Sequence, residues 1–201
     1  GLPYDGTSSF RPGSRFAPES IRRHSYSIET FSHEREDDLT DHRICDLGNL
    51  EMTYGSAETA VRETGEAAAY VLKNRKQAMY IGGEHLLTYP ILKEYAKKYK
   101  GLKVLYFDAH ADLRPGYMGN KLSHASAARL AAEILGEKAL YMFGIRSFEK
   151  NEWKHIREKG IFCDPSCERF YEAIDELKGH PVYISLDMDV FDPACLPGLG
   201  T

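Results

Sequence analysis

The sequence has no apolar run approaching the roughly 18–20 residues that a bilayer span requires, which argues against a transmembrane array. It has no excess of one charge either. Lys and Arg number 26 against 30 Asp and Glu, a formal charge of −4, and no long single-sign run concentrates them. A sequence-independent nucleic-acid binder would need a basic face, so neither nucleic acid nor membrane is an expected partner. Cysteine is sparse: Cys45, Cys163, Cys167 and Cys195 make no dense disulfide framework. Only Cys163 and Cys167 are spaced for a metal, and no second Cys or His pair completes a zinc site, so all four read as reduced thiols. Internal repeats and low-complexity tracts are missing. The opening Gly1-Leu2-Pro3-Tyr4 shows neither a basic nor an apolar leader region, so a cytoplasmic location is the expectation, with Gly1 not the true N-terminus.

What is present is the balance of a globular domain, 42% hydrophobic and 28% charged over 201 residues. A chain of that length buries about 70% of its unfolded surface, and the expectation is one domain over residues 1–201. Residues 5–15, rich in Gly, Ser, Thr and Pro, read as a long surface loop. A short helix follows from about Phe16, and residues 32–41, polar and acidic, read as a solvated loop. From Ser56, a good N-cap, Ala60, Val61, Thr64, Ala68, Val71 and Leu72 recur at helical spacing. Then strands and helices alternate. Strands are expected at 78–81, 104–107, 139–143, 160–162 and 181–186, with helices near Pro90 and at 124–135, 149–159 and 166–177. That alternation predicts an α/β fold, a three-layer αβα domain around a mainly parallel sheet.

In such sheets the ligand site lies beyond the carboxyl ends of the strands. Three of those ends carry ligand-type residues: Gly82-Gly83-Glu84-His85, Asp108-Ala109-His110-Ala111-Asp112, and Asp187-Met188-Asp189-Val190-Phe191-Asp192-Pro193. If they continue their strands, Asp108 with His110, and Asp187 with Asp189, share a face about 6.6 Å apart. His85, Asp108, His110, Asp112, Asp187 and Asp189 would then crowd four carboxylates and two imidazoles together. Such acids repel unless cations compensate, and two divalent cations, with carboxylates bridging them, solve the problem. Oxygen-rich sites with some imidazole suit manganese over structural zinc. Asp192, before Pro193, reads as a turn former. His24, His33, His42, His155 and His180 read as structural or exposed.

These three motifs resemble the signatures of the arginase/agmatinase ureohydrolases, and Gly1-Leu2-Pro3-Tyr4-Asp5 with 11–18 resembles that family's N-terminal loop. The resemblance covers the chain and is nearest to the agmatinases. It implies two Mn(II) ions, one held by His85, Asp108, Asp112 and Asp187, the other by Asp108, His110, Asp187 and Asp189, with Asp108 and Asp187 bridging. It implies hydrolysis of agmatine to putrescine and urea, a step of polyamine biosynthesis, with arginase, guanidinobutyrase or formiminoglutamase activity as alternatives. Asp112 would also hold or relay a proton, and His124 would shuttle protons at the site mouth, where a pKa near 6.5 suits the task. A homo-oligomer, trimer or hexamer, is implied as well.

Two departures stand out. Glu84 and Leu86 replace the Asp and Ser that usually flank the motif histidine. The family's guanidinium-gripping Glu lies downstream of the third motif, and no residue through Thr201 matches it. The expectation is therefore a domain truncated at both ends, continuing past the Gly/Pro-rich loop 193–201, and a 201-residue piece that is poorly soluble and makes no urea. A related one-zinc deacetylase chemistry needs fewer carboxylates, and His110 and Asp189 speak against it. A metal-binding relative without turnover is the reading from another functional class.

Overall fold

The computed structural model of the chain describes residues 1–199, so Gly200 and Thr201, at the end of the expected loop, lie outside the described residues. Helix α1 (Ala17–Ser25) starts with Pro18 in its first turn, where the missing N–H costs nothing. Two strands of two residues each, β1 (Phe31–Ser32) and β2 (Asp37–Asp38), pair as an antiparallel hairpin in the polar stretch expected to be loop. Helix α2 (Ala57–Lys73) is capped by Ser56, whose side chain accepts the Thr59 N–H. After α3 (Thr88–Lys98) come β3 (Lys103–Phe107), α4 (Ala127–Leu135), β4 (Leu140–Phe143), α5 (Lys150–Lys159), β5 (Phe162–Asp164), α6 (Phe170–Leu177) and β6 (Val182–Leu186).

The four strands β3 to β6 form a parallel sheet in the order β5-β4-β3-β6. Side chains alternate between its faces. Val104 and Tyr106 of β3 with Leu140 and Met142 of β4 pack against Leu92 of α3, Ala128 and Ala131 of α4 and Ile156 of α5. Leu105, Tyr141 and Phe143 face Ala173 and Leu177 of α6 on the other side. Helices on both faces make three layers, as the strand-helix alternation predicts. Helix α2 packs outside α3 through Ala60, Ala68 and Ile91. On β6 the α6-side residues Val182, Ile184 and Leu186 remain 39%, 63% and 52% exposed.

The order has a direct consequence for function. From β3 the chain steps outward to β4 and β5, then returns to lay β6 on the opposite side of β3. The switch point therefore lies between β3 and β6, where a crevice opens beyond their carboxyl ends. Register pairs Phe107 with Leu186, so the next residues on both strands, Asp108 and Asp187, emerge side by side.

Three elements depart from expectation. Residues 78–81 form no strand; Ile81 O accepts the Leu2 N–H at 2.8 Å and the next residue, Gly82, forms an isolated bridge with Leu2, but no ladder is built there among the described residues. Strand β5 starts at Phe162 because Gly160 closes α5 in the left-handed conformation, φ 63°. Helix α6 starts at Phe170 because the buried Asp164 carboxylate accepts the Ser166 and Arg169 N–H groups and holds 165–169 as a loop. The N-terminal loop likewise is not wholly on the surface: buried Asp5 organises it, accepting the Gly13 N–H at 2.7 Å and pairing with Arg15 at 2.5 Å.

Candidate metal centre

Asp108 follows β3 directly and is 1% exposed. Its Oδ1 accepts the His110 N–H at 2.7 Å, bending the chain so that the His110 ring turns back beside it, Nδ1 3.7 Å from Oδ1. Asp112 takes a left-handed φ of 49°, a strained conformation of the kind that clusters at functional sites. Asp187 and Asp189 do not continue β6 as a strand pair. Asp187 instead caps a single 3-10 turn, Met188–Val190, by accepting the Asp189 N–H at 3.1 Å, since a short carboxylate readily bonds its own backbone two residues on. Both carboxylates still reach the crevice. Asp192 is the turn former expected, accepting the Ala194 N–H.

Two groups of ligand atoms converge, each within 4.8 Å: His85, Asp108 and Asp187, and Asp108, His110 and Asp189. Asp108 belongs to both and Asp187 to the first. Asp112 lies just outside the first, its Oδ2 3.5 Å from His85 Nδ1. Around His85 Nδ1 stand Asp108 Oδ2 at 2.8 Å and Asp187 Oδ2 at 3.3 Å. The ring's other nitrogen, Nε2, pairs with Ser185 Oγ at 2.8 Å. His110 Nδ1 meets Asp189 Oδ2 at 3.0 Å.

The donor set fits divalent cations. A single ring N–H can satisfy only one of the carboxylate oxygens around His85. Asp108 Oδ2 is buried and, though 2.8 Å from that nitrogen, has no hydrogen bond of acceptable geometry. Leaving a charged oxygen buried and unsatisfied is costly, whereas a cation between the donors would use it. The electrostatics agree. Burial would lower the His85 pKa, but the Asp108 and Asp187 carboxylates raise it well above the ordinary imidazole value. His110, against Asp108 and Asp189, is pushed up to about 10. Burial and then the Asp108 charge hold Asp112 well above the carboxylate range. Positive charge is what the cluster draws in.

Residues that sequence reasoning left without a role complete the site. Tyr106 Oη donates to Asp112 Oδ2 at 3.0 Å and lies 3.1 Å from His85 Nδ1, its ring stacked on the imidazole. Ser185 orients that imidazole from the other side. Both could have been found, because each precedes a motif Asp by two residues and shares its strand face. Arg146 donates to the Asp189 and Val190 carbonyls at 2.5 and 3.0 Å, clamping the turn that carries Asp189. His124 caps no strand; it opens a 3-10 turn before α4, half-buried, with Nδ1 3.3 Å from Thr7 Oγ1. Burial lowers its pKa below the ordinary imidazole value.

Two expected outcomes follow from this geometry. Gly144 has φ 78°, and a Cβ there would lie 2.5 Å from Val190 Cγ2 on the Arg146-clamped turn. Gly144→Ala should cost about 1–3 kcal/mol of stability and weaken the cation site that includes Asp189; thermal unfolding and manganese titration read both. Glu84 is buried and pushed up to about 7, mainly by burial, with the Thr7 hydrogen bonds pulling the other way. Its folded pKa lies above the unfolded 4.5, so its favourable contribution is full below pH 4.5 and lost as pH rises through about 7. The loss amounts to about 3 kcal/mol. Melting temperatures of Glu84→Gln across pH 4.5–8 should lack that decline, and curves parallel to the parent's would contradict it.

The arginase-family model matches residues 1–201. The chain is 40% identical over 203 residues to an agmatinase of Bacillus subtilis, covering all of this chain and 70% of that relative. Among solved structures, the agmatine ureohydrolase of Thermoplasma volcanium superposes with a TM-score of 0.87 at 32% identity, covering 97% of this chain and 67% of that one. An arginase from Bacillus subtilis superposes with a TM-score of 0.81 at 26% identity, covering all of this chain and 77% of that one.

Proposed function

Since the chain belongs to the arginase family, we propose that it hydrolyses a guanidino group to urea and an amine, with agmatine, which yields putrescine, as substrate. The observation that carries the reading is the pair of His/Asp groups joined through Asp108 at the β3–β6 switch point. Relatives that are named agmatinases, at 40% and 38% identity, support agmatine as the substrate. Manganese is the proposed cation, because hard carboxylate oxygens mixed with imidazole suit it. His85, Asp108 and Asp187, with Asp112 beside them, would hold one ion, and Asp108, His110 and Asp189 the other.

Two divalent cations, when bound, act as Lewis acids that make a water molecule nucleophilic near neutral pH. The chain's residues place and move the protons. Ser185 and Tyr106 fix the His85 ring from both sides, so the ligand set is held before substrate arrives. As water adds to the guanidinium carbon, the Asp112 carboxylate, beside the first ligand group, takes up the proton. That proton is relayed through His124, which accepts it at a ring nitrogen and gives it to the leaving nitrogen; the carbon–nitrogen bond to the alkyl chain breaks, and the amine departs as urea forms.

The test is urea release by the native protein from agmatine and from arginine, with and without added manganese. Manganese-dependent urea from agmatine, and little from arginine, is expected. No urea from agmatine under any metal would overturn the reading.

A further inference from the structure

Thr7 sits between the buried Glu84 carboxylate and the His124 ring. Its backbone N–H donates to Glu84 Oε2 at 2.7 Å, and its hydroxyl donates to Oε1 at 2.7 Å. The same hydroxyl oxygen accepts the His124 backbone N–H at 3.0 Å and lies 3.3 Å from His124 Nδ1. A threonine hydroxyl has one proton and two lone pairs. Glu84 takes the proton, which leaves two lone pairs, and one of them meets the His124 backbone N–H. Nδ1 lies 3.3 Å from the same oxygen, and with the hydroxyl proton given to Glu84 a hydrogen bond there requires the proton on the ring nitrogen. Ser123 Oγ accepts the Ala125 N–H and stands 3.5 Å from Nδ1, a longer contact than the 3.3 Å to Thr7 Oγ1, which makes Thr7 the nearer partner of that nitrogen. Nε2 of His124 has no hydrogen-bond partner among the described residues.

The N-terminal segment is held where this contact requires it. Gly83 N–H donates to Leu2 O at 2.9 Å and Glu84 N–H to Tyr4 O at 2.8 Å, so residues 2–4 run beside 82–84. Any Cβ at Gly83 would overlap the Tyr4 backbone, which is why that approach needs glycine. Thr7 thus reaches His124 from a segment 117 residues away in sequence.

We propose that Glu84 and Thr7 are positioning residues that fix His124 as the Nδ1–H tautomer and leave the Nε2 lone pair free to accept and pass on a proton. The tautomer claim stands on the hydrogen bonds alone; its catalytic consequence rests on the ureohydrolase reading above. The arrangement assigns work to Glu84, whose replacement of the usual Asp otherwise has no role, and it makes the N-terminal loop part of the proton path.

Ring-¹⁵N-histidine spectra of the native protein, loaded with magnesium to avoid paramagnetic broadening and recorded at pH 8, read the tautomer directly, with His124→Gln identifying the signals. The expected result is a protonated Nδ1 and an unprotonated Nε2. Thr7→Val should move the ring toward the Nε2–H form, and Thr7→Ser should restore the parent pattern. With manganese and agmatine, Thr7→Val should lower kcat at least about 10-fold while KM stays within about 2-fold, and Thr7→Ser should recover it. A parent ring protonated on Nε2, or a tautomer indifferent to Thr7→Val, would overturn the positioning claim. A tautomer that follows Thr7 while kcat does not would overturn its catalytic half. A Thr7-dependent tautomer in a protein making no urea would uphold the positioning and refute the ureohydrolase reading instead.

Discussion

Asp108→Asn is expected to empty both cation positions together and to abolish urea release. Asp108 is the residue common to the two ligand groups, and its Oδ2 is the buried oxygen without a hydrogen bond. Asparagine keeps the shape and can still accept the His110 N–H through Oδ1, so the loop should fold as before. It removes the charge on which both cations depend. Partners outside the direct ligand set typically contribute 10–100-fold to metal affinity or activity. A shared direct ligand should therefore cost more than about 100-fold in both. Metal content by elemental analysis, alongside urea release, checks the outcome. Retention of either cation at parental affinity would mean that Asp108 does not join the groups.

Asp189→Ala should act on one position only. Asp189 Oδ2 contacts His110 Nδ1 at 3.0 Å and belongs to the second group alone, so the His85 group should keep its cation while the second falls and most turnover is lost. His124→Ala is the informative contrast, since its ring belongs to neither group. Both cations should stay, and kcat should fall by about 10²–10⁴, the usual worth of a positioned proton donor or acceptor. Manganese titration of the two variants separates a ligand from a proton carrier. Loss of metal in His124→Ala would remove it from the proton path proposed here.

The parts of the fold written in local periodicity were legible. Val104 to Phe107 and Leu140 to Phe143 are apolar on both faces, as strands covered on two sides must be, and Ser56 caps α2 where its hydroxyl predicts. The cluster was legible in part for a related reason: Asp108 and Asp187 follow neighbouring strands of the parallel sheet, which brings those ends together, whereas His85 arrives from a run outside the sheet. What failed depended on groups distant in sequence or on local capping. Residues 78–81 are apolar enough for a strand, but among the described residues they meet Leu2 through the single Ile81 carbonyl and join no ladder. Phe170 opens α6 because one carboxylate, Asp164, captures the preceding loop. The Asp187 and Asp189 spacing suggested one strand face, whereas a capped turn delivers both side chains. The link from Glu84 through Thr7 to His124 spans the chain, and nothing periodic announces it.

One cluster would hold two cations that share Asp108, and the number of ions bound per chain is the most direct measure of it. Native protein stripped of metal and dialysed against manganese should bind two ions per chain, with a spin-coupled electron paramagnetic resonance spectrum, because two-metal sites place their ions about 3.5–4 Å apart. One ion per chain, or two that are magnetically isolated, would contradict it.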